Sequence, residues 1–221
     1  LSLNLPKGLT DQTDWKKEVY RTGHVQDYQA SVTNGNDKLR YYLSGGYTGE
    51  DGVIRSSSFK RYNVRGSIDN DVNKWLNINA SVNYADYTYK GTGIISGTTA
   101  SRGGVIPSIL ATPTYASIWD PENPGQFYNN FYGANADSPL ENIARTENNK
   151  NQYNKLLMTG KATIMLLPEL KYTSSLSFDR NQGISTNFLD PHKTREGRNQ
   201  NGTGYDGRQA STVWTFDNTI D

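Results

Sequence analysis

The chain has 221 residues, with 23 Lys+Arg against 22 Asp+Glu, a net charge of +1 and no Cys. That balance indicates no general pull toward nucleic acid or anionic lipid, and the missing thiol excludes a disulfide framework, a zinc knuckle and a cysteine nucleophile. Mean hydropathy is polar, and no apolar run is long enough for a membrane helix, which leaves a barrel open because barrel strands are only half apolar. The 15 Tyr and 21 Gly suit strands, turns and long polar loops. Leu1 is not an initiator Met, no signal-peptide core follows it, and the chain stops at Asp221 within an alternating run. These ends read as a piece cut from a longer chain, although a trimmed chain would look the same.

In chain order, residues 1–24 hold one short helix, expected from Trp15 to Thr22. Trp15 and Val19 lie one turn apart, Glu18 and Arg21 can pair, and Gly23 suits the position past the C-cap. Val25–Thr33 is the first strand, with Tyr28, Ala30 and Val32 on one face. The tight turn Asn34-Gly35-Asn36-Asp37 leads into Leu39–Tyr47, where Leu39, Tyr41, Leu43 and Tyr47 face away from Arg40, Tyr42 and Ser44. After 49–58, Phe59–Asp69 alternates Tyr62, Val64 and Ile68 with Arg61, Asn63, Arg65 and Ser67.

The clearest pattern is Trp75–Tyr89. Leu76, Ile78, Ala80, Val82 and Tyr84 take every second place, with Asn77, Asn79, Ser81 and Asn83 between them. Successive side chains of a strand point to opposite faces, so this is a strand with one apolar and one polar wall; a helix would scatter the same residues. A polar excursion over 91–152 follows. Tyr153–Leu167 then sends Leu156, Met158, Ala162, Ile164 and Leu166 one way and Thr159, Lys161 and Thr163 the other. Pro168-Glu169 turns into Leu170–Asp179, a loop is expected over 181–210, and a last strand starts near Ser211.

The expected fold is therefore all-β, an antiparallel transmembrane β-barrel segment of about seven meander strands with long extracellular loops. It divides into 1–24 (loop and short helix), 25–90 (four strands), 91–152 (long loop with a short helix) and 153–221 (three strands with the 181–210 loop). Short turns at 34–37, 70–74 and 168–169 alternate with long loops at 49–58, 91–152 and 181–210. A meander with that alternation sorts its short turns to one end and its long loops to the other, as outer-membrane barrels do. Tyr47, Trp75, Tyr87, Tyr89 and Tyr153 near strand ends fit an interfacial girdle, and Arg40, Arg61, Arg65 and Lys161 a wet interior. The alternative is a soluble β-sandwich, a glycan-binding or adhesin-like module.

Four stretches together, T-D-W-K-K-E-V-Y-R-T-G (13–23), S-V-T-N-G-N-D-K-L-R-Y-Y-L-S-G-G-Y (31–47), G-V-I-R-S-S-S-F-K-R-Y (52–62) and K-W-L-N-I-N-A-S-V-N-Y (74–84), resemble the SusC/RagA family. The resemblance returns in S-P-L-E-N (138–142). These are TonB-dependent outer-membrane transporters of the Bacteroidetes. The resemblance implies a barrel of the 22-stranded type with an N-terminal plug. It further implies import of oligosaccharides or peptides across the bacterial outer membrane, a SusD-like surface lipoprotein as lid, and drive from TonB through a plug and TonB box absent from this chain. No cofactor, metal or nucleic acid and no enzymatic reaction are implied.

Other patterns yield little. Asp69, Asp71 and Asn73 open like a calcium loop, but Lys74 and Ala80 stand where Gly and Glu are needed. His24 and His192 lack ligand-spaced partners, and no phosphate-loop, nucleophile-elbow or zinc-helix motif occurs. Ser138, Pro139 and Glu141 form a capping-box pattern that predicts a helix to about Arg145. In the loop 113–133, Trp119, Phe127, Tyr128, Phe131 and Tyr132 sit among Asp, Asn and Gln. Flat rings beside directional polar groups suit a sugar or peptide ligand; packing of the loop onto its neighbours or onto the lid protein is the competing expectation.

Overall fold

The computed structural model describes residues 13–91, 104–129 and 137–221. Seven strands form one antiparallel sheet in sequence order: β1 (His24–Gly35), β2 (Leu39–Asp51), β3 (Ser58–Asn73), β4 (Leu76–Lys90), β5 (Lys150–Leu167), β6 (Leu170–Leu189) and β7 (Thr203–Ile220). Turns at 36–38, 74–75 and 168–169 lie at one end, and connections at 52–57, 91–149 and 190–202 at the other. The turns are held by side chains that imitate backbone: Asn36 Oδ1 accepts from the N–H groups of Lys38 and Leu39, and Asn73 Oδ1 from those of Trp75 and Leu76.

The register aligns the apolar positions across the sheet. Val32, Leu43, Gly66, Val82, Met158, Phe178 and Trp214 make one continuous cross-strand row. The upper edge of this apolar band shifts from strand to strand. It lies at Tyr28, Tyr47 and Tyr62 on β1–β3, at Tyr84 and Leu156 on β4–β5, and at Phe178 and Trp214 on β6–β7. A drift of that size corresponds to strands inclined by roughly 30°, near the tilt of membrane barrels. From Leu76 to Tyr84 the band is about 25 Å along the strand, enough for the apolar belt of an outer-membrane barrel.

This band is bare. Val82 is 37% exposed, Met158 46%, Leu43 52% and Trp214 64%. A sandwich would cover such a face with a second sheet, but all seven strands belong to one sheet, and the buried core lies elsewhere. The fold is therefore a partial β-barrel, and the sandwich alternative is overturned. A wide apolar face and two unpaired edges need lipid and further strands. Accordingly, residues 1–221 expressed alone are expected to aggregate; a cooperatively melting monomer in size exclusion would contradict this.

The buried core sits in a cap at the long-loop end. Trp15, Val19, Ile54, Val105, Ile109, Ala116 and Ile143 pack together, drawn from α1 (Trp15–Val19), α2 (Val105–Ala111), α3 (Pro139–Thr146) and the connecting loops. A further short helix, α4 (Arg195–Asn199), lies in the β6–β7 connection.

Three expectations need correction. The loop expected over 181–210 shrinks to 190–202, because β6 and β7 stay paired out to Leu189↔Thr203. Strands that have left the apolar band keep their backbone ladder but lose their hydrophobic alternation, so their sequence reads as loop. Likewise β5 starts at Lys150, inside the stretch expected to be loop. The first helix ends at Val19 rather than Thr22, since Tyr20 turns extended and bridges Ile54. Arg21 then reaches the carbonyls of Gly52 and Ser57 instead of pairing with Glu18.

Candidate functional site

The polar face of the sheet forms the inner wall. Arg40, Asp69, Asn79 and Lys161 lie in one cross-strand row, and Ser44, Arg65 and Asn83 in another. Asp69 and Asp71 each accept from Asn77 Nδ2 at 2.8 Å, and Arg40 lies 3.5 and 3.2 Å from them, so the calcium-like carboxylates serve the wall itself.

Toward the long-loop end of this wall stands an aromatic cluster. Phe59 and Tyr89 have ring centroids 4.8 Å apart, and Tyr87 and Tyr153 stack at 5.4 Å with their planes 25° apart. Tyr89 meets both Tyr87 and Tyr153 edge-on, at 5.7 and 6.5 Å. Tyr87, Tyr89 and Tyr153 are expected from sequence in an interfacial girdle. They share parity with Asn77 and Asn79, however, and so point inward; the outward belt is Tyr28, Tyr47 and Tyr62. Odd numbering along β4 was the available signal. Tyr153 lies over Gly183, where an added Cβ would meet the ring at 3.0 Å and the Gln209 amide at 3.1 Å. Ring and amide thus share one recess, lined also by Tyr87, Asn181 and Ser211. Arg61, directly opposite Tyr87, is exposed and has no hydrogen-bond or ion-pair partner among the described residues.

The loop aromatics chosen from sequence divide. Trp119 and Phe127 stack at 5.0 Å across a short bridge, with Trp119 52% exposed. Tyr128 packs against the cap core instead. Phe131 and Tyr132 lie outside the described residues.

Charged groups lock the cap. Asp137 and Glu141 are fully buried, and Arg145 joins both carboxylates at 2.9 and 2.8 Å. Arg195 pairs with Asp137 through its guanidinium, while its backbone N–H donates to Glu141 at 2.9 Å. Asn129 donates to Glu141 at 2.5 Å and accepts the Ser138 N–H at 2.7 Å. The helix predicted from Ser138 forms, but its capping box does not, because Glu141 is taken by these long-range partners and no side chain caps the helix. Nearby, the hydrogen bond from Lys193 to Glu147 raises the Lys193 pKa, and the backbone N–H of His192 lowers that of Asp190.

No family model matches the chain. It is 27% identical to the TonB-dependent receptor SusC of Bacteroides thetaiotaomicron over 85% of its own length and 20% of that protein. It is 30% identical to the TonB-dependent receptor P3 of Formosa agariphila over 58% of its length and 13% of that protein. Its backbone follows a chain of the RagAB peptide transporter with a TM-score of 0.76 at 18% identity, covering 97% of this chain and 24% of that one. The RagAB peptide importer in its open-open state gives 0.73 at 20% identity, over 98% and 24%. The chain is similar to part of these TonB-dependent receptors and shares the fold of the RagAB transporter chain. It spans about a fifth of the length of the SusC relative. Its place is the bacterial outer membrane. Within this segment, the stretches at 13–23 and 52–62 supply α1 and the bridge to Ile54, and 138–142 supplies Glu141.

Proposed function

We propose that this segment belongs to an importer of oligosaccharides or peptides that works with a SusD-like lipoprotein and is driven by TonB through a plug and TonB box. The connections at 52–57, 91–149 and 190–202 then face outside, beneath the lid, and the turns face the periplasm. The observation that carries the reading is the cluster of Phe59, Tyr87, Tyr89 and Tyr153 on a mostly polar inner wall, just below the cap. Rings flanked by Gln209, Asn181 and Arg61 give a passing ligand an apolar platform with directional polar contacts. In this reading Trp119 and Phe127, stacked in the cap, meet the substrate or the lid first, with Phe131 and Tyr132 in the same proposed group, while Tyr128 holds the loop to the cap core.

In the full-length transporter, replacing Tyr89 and Tyr153 together by Ala is expected to raise the half-saturating substrate concentration about tenfold, given roughly 0.5–1.5 kcal/mol per aromatic contact. Uptake by whole cells, with surface level measured separately, checks this. An unchanged half-saturation at equal surface level means the rings merely line the wall.

A further inference from the structure

The outward face carries a basic patch above the apolar band. Lys60 lies two residues beyond Tyr62 on β3, on the same face, and Lys90 and Lys150 continue the outward parity of β4 and β5. All three are exposed, and none has an ion-pair partner among the described residues. Lys90 and Lys150 are direct cross-strand partners, a juxtaposition of like charges that costs stability unless an anion lies between them. Between the patch and the band lie hydrogen-bonding groups, Thr88, Asn154 and the Gln152–Asp86 pair.

Height selects the anion. Lys60 stands about 7 Å along its strand from the belt, whereas Lys90 and Lys150 stand about 20 Å along theirs, or roughly 15 Å above the band after tilt. The polar layer of a phospholipid leaflet is only about 5–8 Å deep. We propose that Lys60, Lys90 and Lys150 bind the phosphorylated sugar headgroup of an outer-leaflet glycolipid, whose phosphates and hydroxyls extend through that height. The placement of this patch in the outer leaflet rests on the proposed orientation, with the long connections outside.

The test uses the full-length transporter in phosphatidylcholine nanodiscs, titrated with lipopolysaccharide, with the same lipopolysaccharide after phosphatase treatment, or with phosphatidylglycerol. Intact lipopolysaccharide is expected to bind best. Lys60→Gln/Lys90→Gln/Lys150→Gln should weaken it on the order of a hundredfold, about fivefold per lysine, while Lys161→Gln on the inner wall leaves it unchanged. Equal binding by the triple variant or by the dephosphorylated lipid overturns the site. Equal binding of phosphatidylglycerol overturns the extended headgroup, and displacement by millimolar inorganic phosphate overturns the lipid in favour of a free-anion site. Nanodiscs accept either orientation, so a failure of topology is read separately, from surface labelling of a tag in 190–202 on intact cells.

Discussion

Val82→Arg in the full-length protein is expected to destabilise folding into a bilayer by about 2 kcal/mol, the lower end of the cost of a lipid-facing Arg, because Val82 lies between Ala80 at the middle of the band and Tyr84 at its edge. Val82 lies in the row where every strand contributes an apolar residue or Gly, so no neighbouring polar group shelters a guanidinium. Ile78→Arg should cost less, because its row already holds Asn70, Ser174 and Asn218. Asn79→Arg and Ser81→Arg, on the wet wall beside Lys161 and Thr159, should be milder still. Urea unfolding from lipid vesicles measures all four variants. Equal costs on the two faces would mean that the bare apolar wall does not face lipid.

Glu141→Leu should release the cap by about 3 kcal/mol, the lower end of the cost of stripping one partner from a buried ionic network. The lower end applies because Arg145 and Arg195 keep some water contact, at 18% and 21% exposure, and both still reach Asp137. The loss leaves the Arg195 N–H without its acceptor and the Asn129 amide with the Phe127 carbonyl alone. Amide exchange should accelerate in 137–146 and 190–202 together, while β3–β6 stay protected. Protection of both stretches in the variant would show that the apolar cap core alone holds these loops.

Much of the barrel was legible because a strand writes its faces into alternate residues. Leu76 to Tyr84 against Asn77 to Asn83 gave both walls, and the order of short turns and long connections gave the two ends. Parity also holds the answer for Tyr87, Tyr89 and Tyr153, which point inward despite their position near strand ends, whereas Tyr47 does lie in the outward belt. Beyond the lipid the alternation fades while the ladder continues, which is why 181–189 and 203–210 read as loop. The cap was opaque for another reason. Its core joins Trp15, Ile54, Val105 and Ile143 with no period, and Glu141 finds Arg195 54 positions away, so a local capping pattern outweighed a distant partner.

The strand order also bears on how the molecule assembles. In the sheet each strand pairs with its neighbour in sequence, and every connection but the one at 91–149 is short, so the hairpins within β1–β4 and within β5–β7 close at small entropic cost and the sheet can grow by successive addition. The cap works otherwise: Thr13 Oγ1 bonds the Ala116 carbonyl across 103 positions, and Trp15 Nε1 bonds that of Pro113 across 98. Those closures pass over β1 to β4, and they become inexpensive only when the intervening hairpins have already drawn the ends together. Assembly order is thereby written into the topology, with the wall first and the cap last.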